Sequence, residues 1–239
     1  MTIMSDYPQI YRTKTQAAPN NIKAYVFDLD GTLLDSMDVW SKIDIEFLHK
    51  RGFAVPDDYA HMTTAMSFQQ AAEYTIQRFN LSESAESLMR QWRDMAVFAY
   101  GNTIQMKPYA KEYLSSLKTC GAKLAIATSA APDHYDAALR AHGIYEWFDV
   151  ICSTEDVGCG KTSPDIYLLV ADKLGVPPCD CLVFEDILPA VKSAKSIGMT
   201  VYAVYDKFSD RNWAEITELA DGAIYSFEEA PLPCGYTAP

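Results

Sequence analysis

The sequence is short of everything that would tie it to a nucleic acid or a bilayer. Its 239 residues hold 20 Lys+Arg against 32 Asp+Glu, a formal net charge of −12. Such a surface repels phosphate backbones. Nowhere is there the run of ~20 apolar residues that a membrane helix needs. The first 20 residues carry Asp6, Pro8, Arg12 and Pro19 and have neither an apolar run nor a periodic apolar face. They read as a loose tail rather than a secretory or transit segment. The four histidines, His49, His61, His134 and His142, form no ligand set and are expected at the surface. The six cysteines (Cys120, Cys152, Cys159, Cys179, Cys181, Cys234) lack zinc-ribbon spacing, and Cys179-Asp180-Cys181 is their only cluster. They are expected to be reduced thiols of a cytoplasmic protein. No internal repeat or low-complexity tract is evident.

What is present is a core and a rhythm. Hydrophobic residues make up 49% of the chain and charged residues 22%, enough apolar surface for a sizeable interior. Short apolar runs at Ala24–Phe27, Leu124–Ala127, Cys181–Phe184 and Thr200–Tyr205 read as buried strands, with a weaker one at Ala223–Tyr225. Helical patterns cover 109–119, 133–142, 164–174 and 188–197. Pro108, Pro132, Pro164 and Pro189 lie near their starts, and Gly121, Gly143, Gly175 and Gly198 just past their ends. Alternating strands and helices predict an α/β fold, a doubly wound parallel sheet.

Residues 38–104 break the rhythm. Val39, Trp40, Ile43, Phe47 and Leu48 share one helical face, and Leu88, Trp92, Met95 and Phe98 another, with no convincing strand between them. The expected organisation is therefore a tail at 1–20, a core from 21–37 and 105–230, an all-helical insertion at 38–104 and a C-terminal tail at 231–239.

Three apolar runs end in polar residues: Asp28 and Asp30, Thr128 and Ser129, Glu185 and Asp186. In an open parallel sheet such ends converge on the ligand crevice. Lys161, in a loop before a helix, can reach the same place. Carboxylates ~4 Å apart repel by roughly 4 kcal/mol per pair at an effective dielectric of 20, so the cluster calls for a cation. All-oxygen donors with few carboxylates suit Mg²⁺ completed by a substrate phosphate. A carboxylate with a pKa of about 4 is ionised at neutrality, so Asp28 could attack phosphorus without a base. Asp30 is the candidate to protonate the leaving group. Thr128, Ser129 and backbone N–H groups would hold phosphoryl oxygens, with Lys161 offsetting charge.

Competing readings of the same residues fit less well. A calcium loop needs its glycine at the sixth position, whereas Gly31 is fourth. A P-loop ending in Gly160-Lys161-Thr162 would have Glu155 in place of its first glycine. Glu185 and Asp186 could also serve simply as acids at a helix N-terminus.

The segment Phe27-Asp28-Leu29-Asp30-Gly31-Thr32-Leu33-Leu34-Asp35-Ser36 resembles the first motif of the haloacid dehalogenase (HAD) superfamily. Ile126-Ala127-Thr128-Ser129, Gly160-Lys161-Thr162-Ser163-Pro164-Asp165 and Val183-Phe184-Glu185-Asp186 resemble its second, third and fourth, in the family's order. The helical insertion is similar to the small cap of the β-phosphoglucomutase and phosphoglycolate phosphatase subgroup. The resemblance implies an aspartyl-phosphate on Asp28, with Asp30 as acid and then base, and Thr128 and Lys161 on the phosphoryl group. It also implies Mg²⁺ on Asp28, the Asp30 carbonyl and Asp186, with Glu185 nearby. Dehalogenases of the superfamily are expected to lack the second aspartate, so Asp30 favours phosphoryl transfer. The implied substrate is a small phosphorylated metabolite, with no nucleic-acid or membrane partner; the oligomeric state is open. A mutase of the β-phosphoglucomutase type is disfavoured because Trp40 stands where a cap histidine is expected, and Phe68 where an arginine is. A non-catalytic phosphometabolite binder on the same fold is the other alternative. At the fourth motif the sequence departs from the pattern, with Ile187-Leu188-Pro189-Ala190 where many relatives have small residues.

Overall fold

Each strand of the sheet is short and almost wholly apolar, so it must be covered on both faces. The computed structural model describes residue 19, residues 21–63 and residues 66–232, with His61 described in its backbone only. Six parallel strands are β1 (Ala24–Phe27), β2 (Lys123–Thr128), β3 (Val150–Ser153), β4 (Cys181–Glu185), β5 (Thr200–Val204) and β6 (Gly222–Ile224). Their order is β3-β2-β1-β4-β5-β6. The chain thus builds outward from β1 in one direction and, after β3, returns to β1's other side. The doubly wound α/β fold expected from the sequence is the one observed.

Alternation along the strands divides the interior in two. Tyr25, Phe27, Leu124, Ile126, Leu182 and Phe184 pack on one face with Tyr113, Leu114 and Leu117 of α5 (Ala110–Thr119). Ala24, Val26, Ala125, Ala127, Cys181 and Val183 pack on the other. There they meet α7 (Asp165–Leu174) through Ile166 and Val170, and α8 (Leu188–Ser196) through Ala190, Val191 and Ala194. Small side chains on that second face let these helices approach closely, while rings fill the first.

Between β1 and α5 come four helices: α1 (Val39–His49), α2 (Tyr59–Thr63), α3 (Phe68–Phe79) and α4 (Ala85–Asn102). Ser67 starts α3 through a capping box with Gln70, and Ser84 accepts from the Ser87 N–H at the start of α4. Phe47 and Trp92 meet edge to face at 5.7 Å between α1 and α4. Trp40 departs from its expected place in that apolar face: it is 41% exposed, against 4% for Trp92. The two connections to the core run side by side. Asp35 N–H donates to the Gln105 carbonyl (2.9 Å), Lys107 N–H to that of Leu33 (2.8 Å), and Leu34 bridges Met106 in antiparallel fashion.

Strand β3 carries no continuous apolar run in the sequence; α6 (Pro132–Ala141) precedes it, and its Val150 and Ile151 are only half-buried at the sheet edge. Of the expected C-terminal tail, Pro231 is packed, its carbonyl accepting from the Tyr113 hydroxyl at 2.8 Å. Residues 233–239, Cys234 among them, and nearly all of 1–20 lie outside the described residues.

Candidate active site

The pairing of β1 with β4 sets Phe27 beside Phe184, and the Asp28 N–H donates to the Phe184 carbonyl at 3.0 Å. The first polar residue after β1 therefore lies next to Glu185, the last residue of β4, and Asp186. This is the switch point of the sheet, where strand order reverses and carboxyl ends open a crevice. Asp28, Glu185 and Asp186 each offer a carboxylate oxygen within 4.8 Å of the others, and all three are buried.

Lys161 enters from the loop between β3 and α7. Its ammonium is buried and ion-paired with Asp28 Oδ1 and with Glu185 Oε1 (2.5 Å). Burial opposes charge on Lys161, but the two carboxylates outweigh it and hold the ammonium above its usual range. Tyr167 on α7 donates to the same Glu185 oxygen at 2.6 Å. Burial pushes the Glu185 carboxyl up to about 7 against the pull of Lys161. Asp186 is raised well above the carboxylate range by burial first, then by Asp28 and Glu185.

The loop after β1 is shaped around Asp186. Thr32 Oγ1 donates to Asp186 Oδ1 at 3.3 Å, and Ser209 donates to the Asp186 carbonyl at 2.6 Å. Gly31 has φ +84°, and a Cβ there would fall 2.3 Å from Asp186 Oδ2.

The donor set fits a divalent cation. Glu185 Oε2 and Asp186 Oδ2 are buried and have no hydrogen-bond partner among the described residues. Three carboxyls face one ammonium, and ionising all of them would leave two negative charges in a low-dielectric site. A hard cation would supply the positive charge that these buried oxygens lack, and oxygen-only ligands match Mg²⁺.

Of the residues singled out in the sequence, Asp28, Lys161, Glu185 and Asp186 meet in one cluster. Asp30 lies beside it with partners of its own: Ser36 Oγ (2.5 Å) and the Tyr100 hydroxyl (2.7 Å) both donate to Asp30 Oδ1. Burial chiefly raises the Asp30 carboxyl, Asp28 adds to this, and the two hydrogen bonds oppose it. Thr128 ends β2, adjacent to β1, and its buried hydroxyl accepts from the Ala130 N–H at 3.0 Å. Ser129 follows it, exposed.

Tyr100, Tyr167, Thr32, Ser36 and Ser209 received no role from the sequence. Thr32 and Ser36 stand inside the first motif, whereas the tyrosines sit on helix faces that read as core. His134 corrects an expectation too. It is buried, its ring stacked on Tyr100 at 5.0 Å and 3°, with Trp40 edge-on at 6.2 Å.

The sequence profile of the haloacid dehalogenase-like hydrolases matches residues 22–198. The chain belongs to that family. This hydrolase is 31% identical over 216 residues to a Drosophila melanogaster protein named "Probable pseudouridine-5'-phosphatase", covering 87% of this chain and 93% of that one. A phosphorylated carbohydrates phosphatase of Thermotoga maritima is 26% identical over 190 residues, covering 79% and 88%. Among solved structures, CbbY from Rhodobacter sphaeroides in complex with phosphate superposes with a TM-score of 0.68 at 25% identity, covering 86% and 95%. No helix among the described residues is long and apolar enough to cross a membrane.

Proposed function

We propose that this hydrolase is a Mg²⁺-dependent phosphatase that cleaves a small phosphomonoester through an aspartyl-phosphate on Asp28. The observation that carries the reading is the buried Asp28, Glu185 and Asp186 cluster, with two orphaned oxygens, at the switch point of the sheet. Mg²⁺, held by Asp28, Asp186 and the Asp30 carbonyl with Glu185 nearby, would supply positive charge against the phosphate.

The chain's own residues perform the rest. Lys161 takes one oxygen of Asp28, which leaves the other to attack phosphorus. As that O–P bond forms, the bond to the leaving alkoxide breaks and Asp30 delivers a proton to it. Asp30, now ionised, takes a proton from the water that attacks the phospho-enzyme. The Asp28–phosphorus bond breaks and inorganic phosphate leaves. Thr128 and Ser129 bind the phosphoryl oxygens, and Lys161 offsets their charge.

In this reading residues 38–104 are a cap over a core made of 21–37 and 105–230. Its hinges are near Asp35–Met37 and Gly101–Lys107, where the two connections are bonded to each other. Trp40 and Phe68, whose rings meet edge to face at 5.8 Å, give the cap an apolar contact where a mutase would carry a base and a cation. The names of the relatives direct attention to phosphosugars and nucleoside 5′-phosphates as substrates. Five free cysteines among the described residues support a reducing, cytoplasmic setting.

The test is phosphate release from a panel of sugar, polyol, nucleotide and short-acid phosphates, with Mg²⁺ and with EDTA. Release that depends on Mg²⁺ is expected. Tight binding of a panel member with no release would replace the phosphatase by a sensor. Interconversion of glucose 1- and 6-phosphates faster than phosphate release would replace it by a mutase.

A further inference from the structure

Two hydroxyls, one from the connection that leads into the helical insertion and one from its last helix, meet on one oxygen. Ser36 lies in the segment leading into α1, and Tyr100 in the last turns of α4, yet both donate to Asp30 Oδ1, at 2.5 and 2.7 Å. Asp30 Oδ2 has no hydrogen-bond donor among the described residues. A carboxylate oxygen offers two acceptor sites. With both engaged, Oδ1 is the poorer place for a proton, and Oδ2 is the oxygen left to carry one.

The Tyr100 hydroxyl is not placed there by chance rotation of an exposed ring. The residue is 4% exposed, and its ring lies flat on His134, which α6 of the core contributes. The core thus grips the ring while the hydroxyl grips the acid. Burial, then the charge of Asp30, raise the Tyr100 phenol above its usual range.

We infer that Tyr100 is a positioning residue for the acid step: with Ser36 it holds Asp30 Oδ1 so that Oδ2 presents the proton to the leaving group. The inference rests on the reading of Asp30 as the proton donor. It ties the acid's orientation to the seating of α4 on α6, since displacement of α4 would withdraw the Tyr100 donor.

The consequence is read in the leaving group. An alkoxide needs a proton to depart, whereas p-nitrophenolate hardly does. The constant kcat/KM reports only the steps up to cleavage of that bond, so the later base step does not enter. In Mg²⁺-loaded full-length enzyme, Tyr100→Phe keeps the ring and its stack and removes only the hydroxyl. For ribose 5-phosphate its kcat/KM should fall about 10-fold or more, a fraction of what general-acid catalysis contributes. For p-nitrophenyl phosphate the fall should be within about 3-fold. Ser36→Ala should show the same bias, which guards against an accident of folding in one variant. Asp30→Asn is the reference and should show the bias most strongly. If Asp30→Asn shows the bias but Tyr100→Phe and Ser36→Ala do not, the positioning role is overturned while the acid reading stands. If Asp30→Asn slows both esters equally, the acid reading falls and the positioning role falls with it.

Discussion

Gly31 and Asp186 are fitted so closely that any side chain at position 31 would strike the carboxylate: a Cβ would stand 2.3 Å from Oδ2 and 2.9 Å from the carboxyl carbon. That oxygen is also one of the two without a hydrogen-bond partner. The glycine of the first motif therefore does two things. It takes a positive φ that turns the chain back after β1, and it leaves room for an acid from β4.

Gly31→Ala should combine both costs. A Cβ at this φ costs about 1–2 kcal/mol, and Asp186 must also move. Urea denaturation should show a loss of at least that size. Mg²⁺-dependent thermal stabilisation should need a higher metal concentration than in the wild type, and phosphate release should fall by at least ~10-fold.

Removing the Lys161 charge should leave Asp28 and Glu185 buried without their counter-ion. Breaking a buried ion pair from one side costs about 3–5 kcal/mol. Lys161→Met should lose stability of that order in EDTA and lose phosphatase activity. Mg²⁺ should restore more stability to the variant than it adds to the wild type, because the variant's cluster is the more negative. Equal Mg²⁺ stabilisation of the two proteins, measured by thermal melts, would speak against a cation among these carboxylates.

Asp44, on α1, gives a pH dependence separate from the site. Burial raises its carboxyl to about 6, so the folded chain holds this proton more tightly than the unfolded one. Stability therefore falls as pH rises through the interval between the two values. Below the unfolded value of about 3.9 both states are protonated and the burial carries no penalty. As pH rises towards 6 the penalty grows, and above 6 it is complete. Asp44→Asn should therefore stabilise the protein at pH 7.5 by about 1 kcal/mol, after allowance for partial exposure, and leave it unchanged near pH 3.5. Denaturation midpoints at the two pH values check this.

These residues differ in how far the sequence discloses them. Asp28, Glu185 and Asp186 could be brought together on paper because each follows an apolar run too short for anything but a buried strand. Parallel strands put their carboxyl ends at one edge of the sheet. Lys161 was legible only through the motif around it, since a lysine in a loop is ordinarily solvated. Tyr100 was hidden by its own helix. Leu88, Trp92, Ala96 and Tyr100 are buried at four-residue spacing along α4, and nothing in that stripe marks its last member as the one whose hydroxyl leaves the core. Tyr167 is hidden in the same way among Ile166, Val170 and Ala171 on α7. Strand β3 escaped because an edge strand with two half-buried residues carries no continuous apolar run. His134 looked like a surface residue because its burial comes from Tyr100 and Trp40, both distant in sequence.

Asp28 is the group that bonds to phosphorus in the proposed mechanism. Asp28→Asn removes the nucleophilic charge with almost no change in volume, and the measurement is inorganic phosphate released from the substrate panel in Mg²⁺. The wild type should release phosphate, and a folded Asp28→Asn protein, its far-UV circular dichroism unchanged, should release none above background. Turnover by that variant at a rate comparable to the wild type would contradict the mechanism.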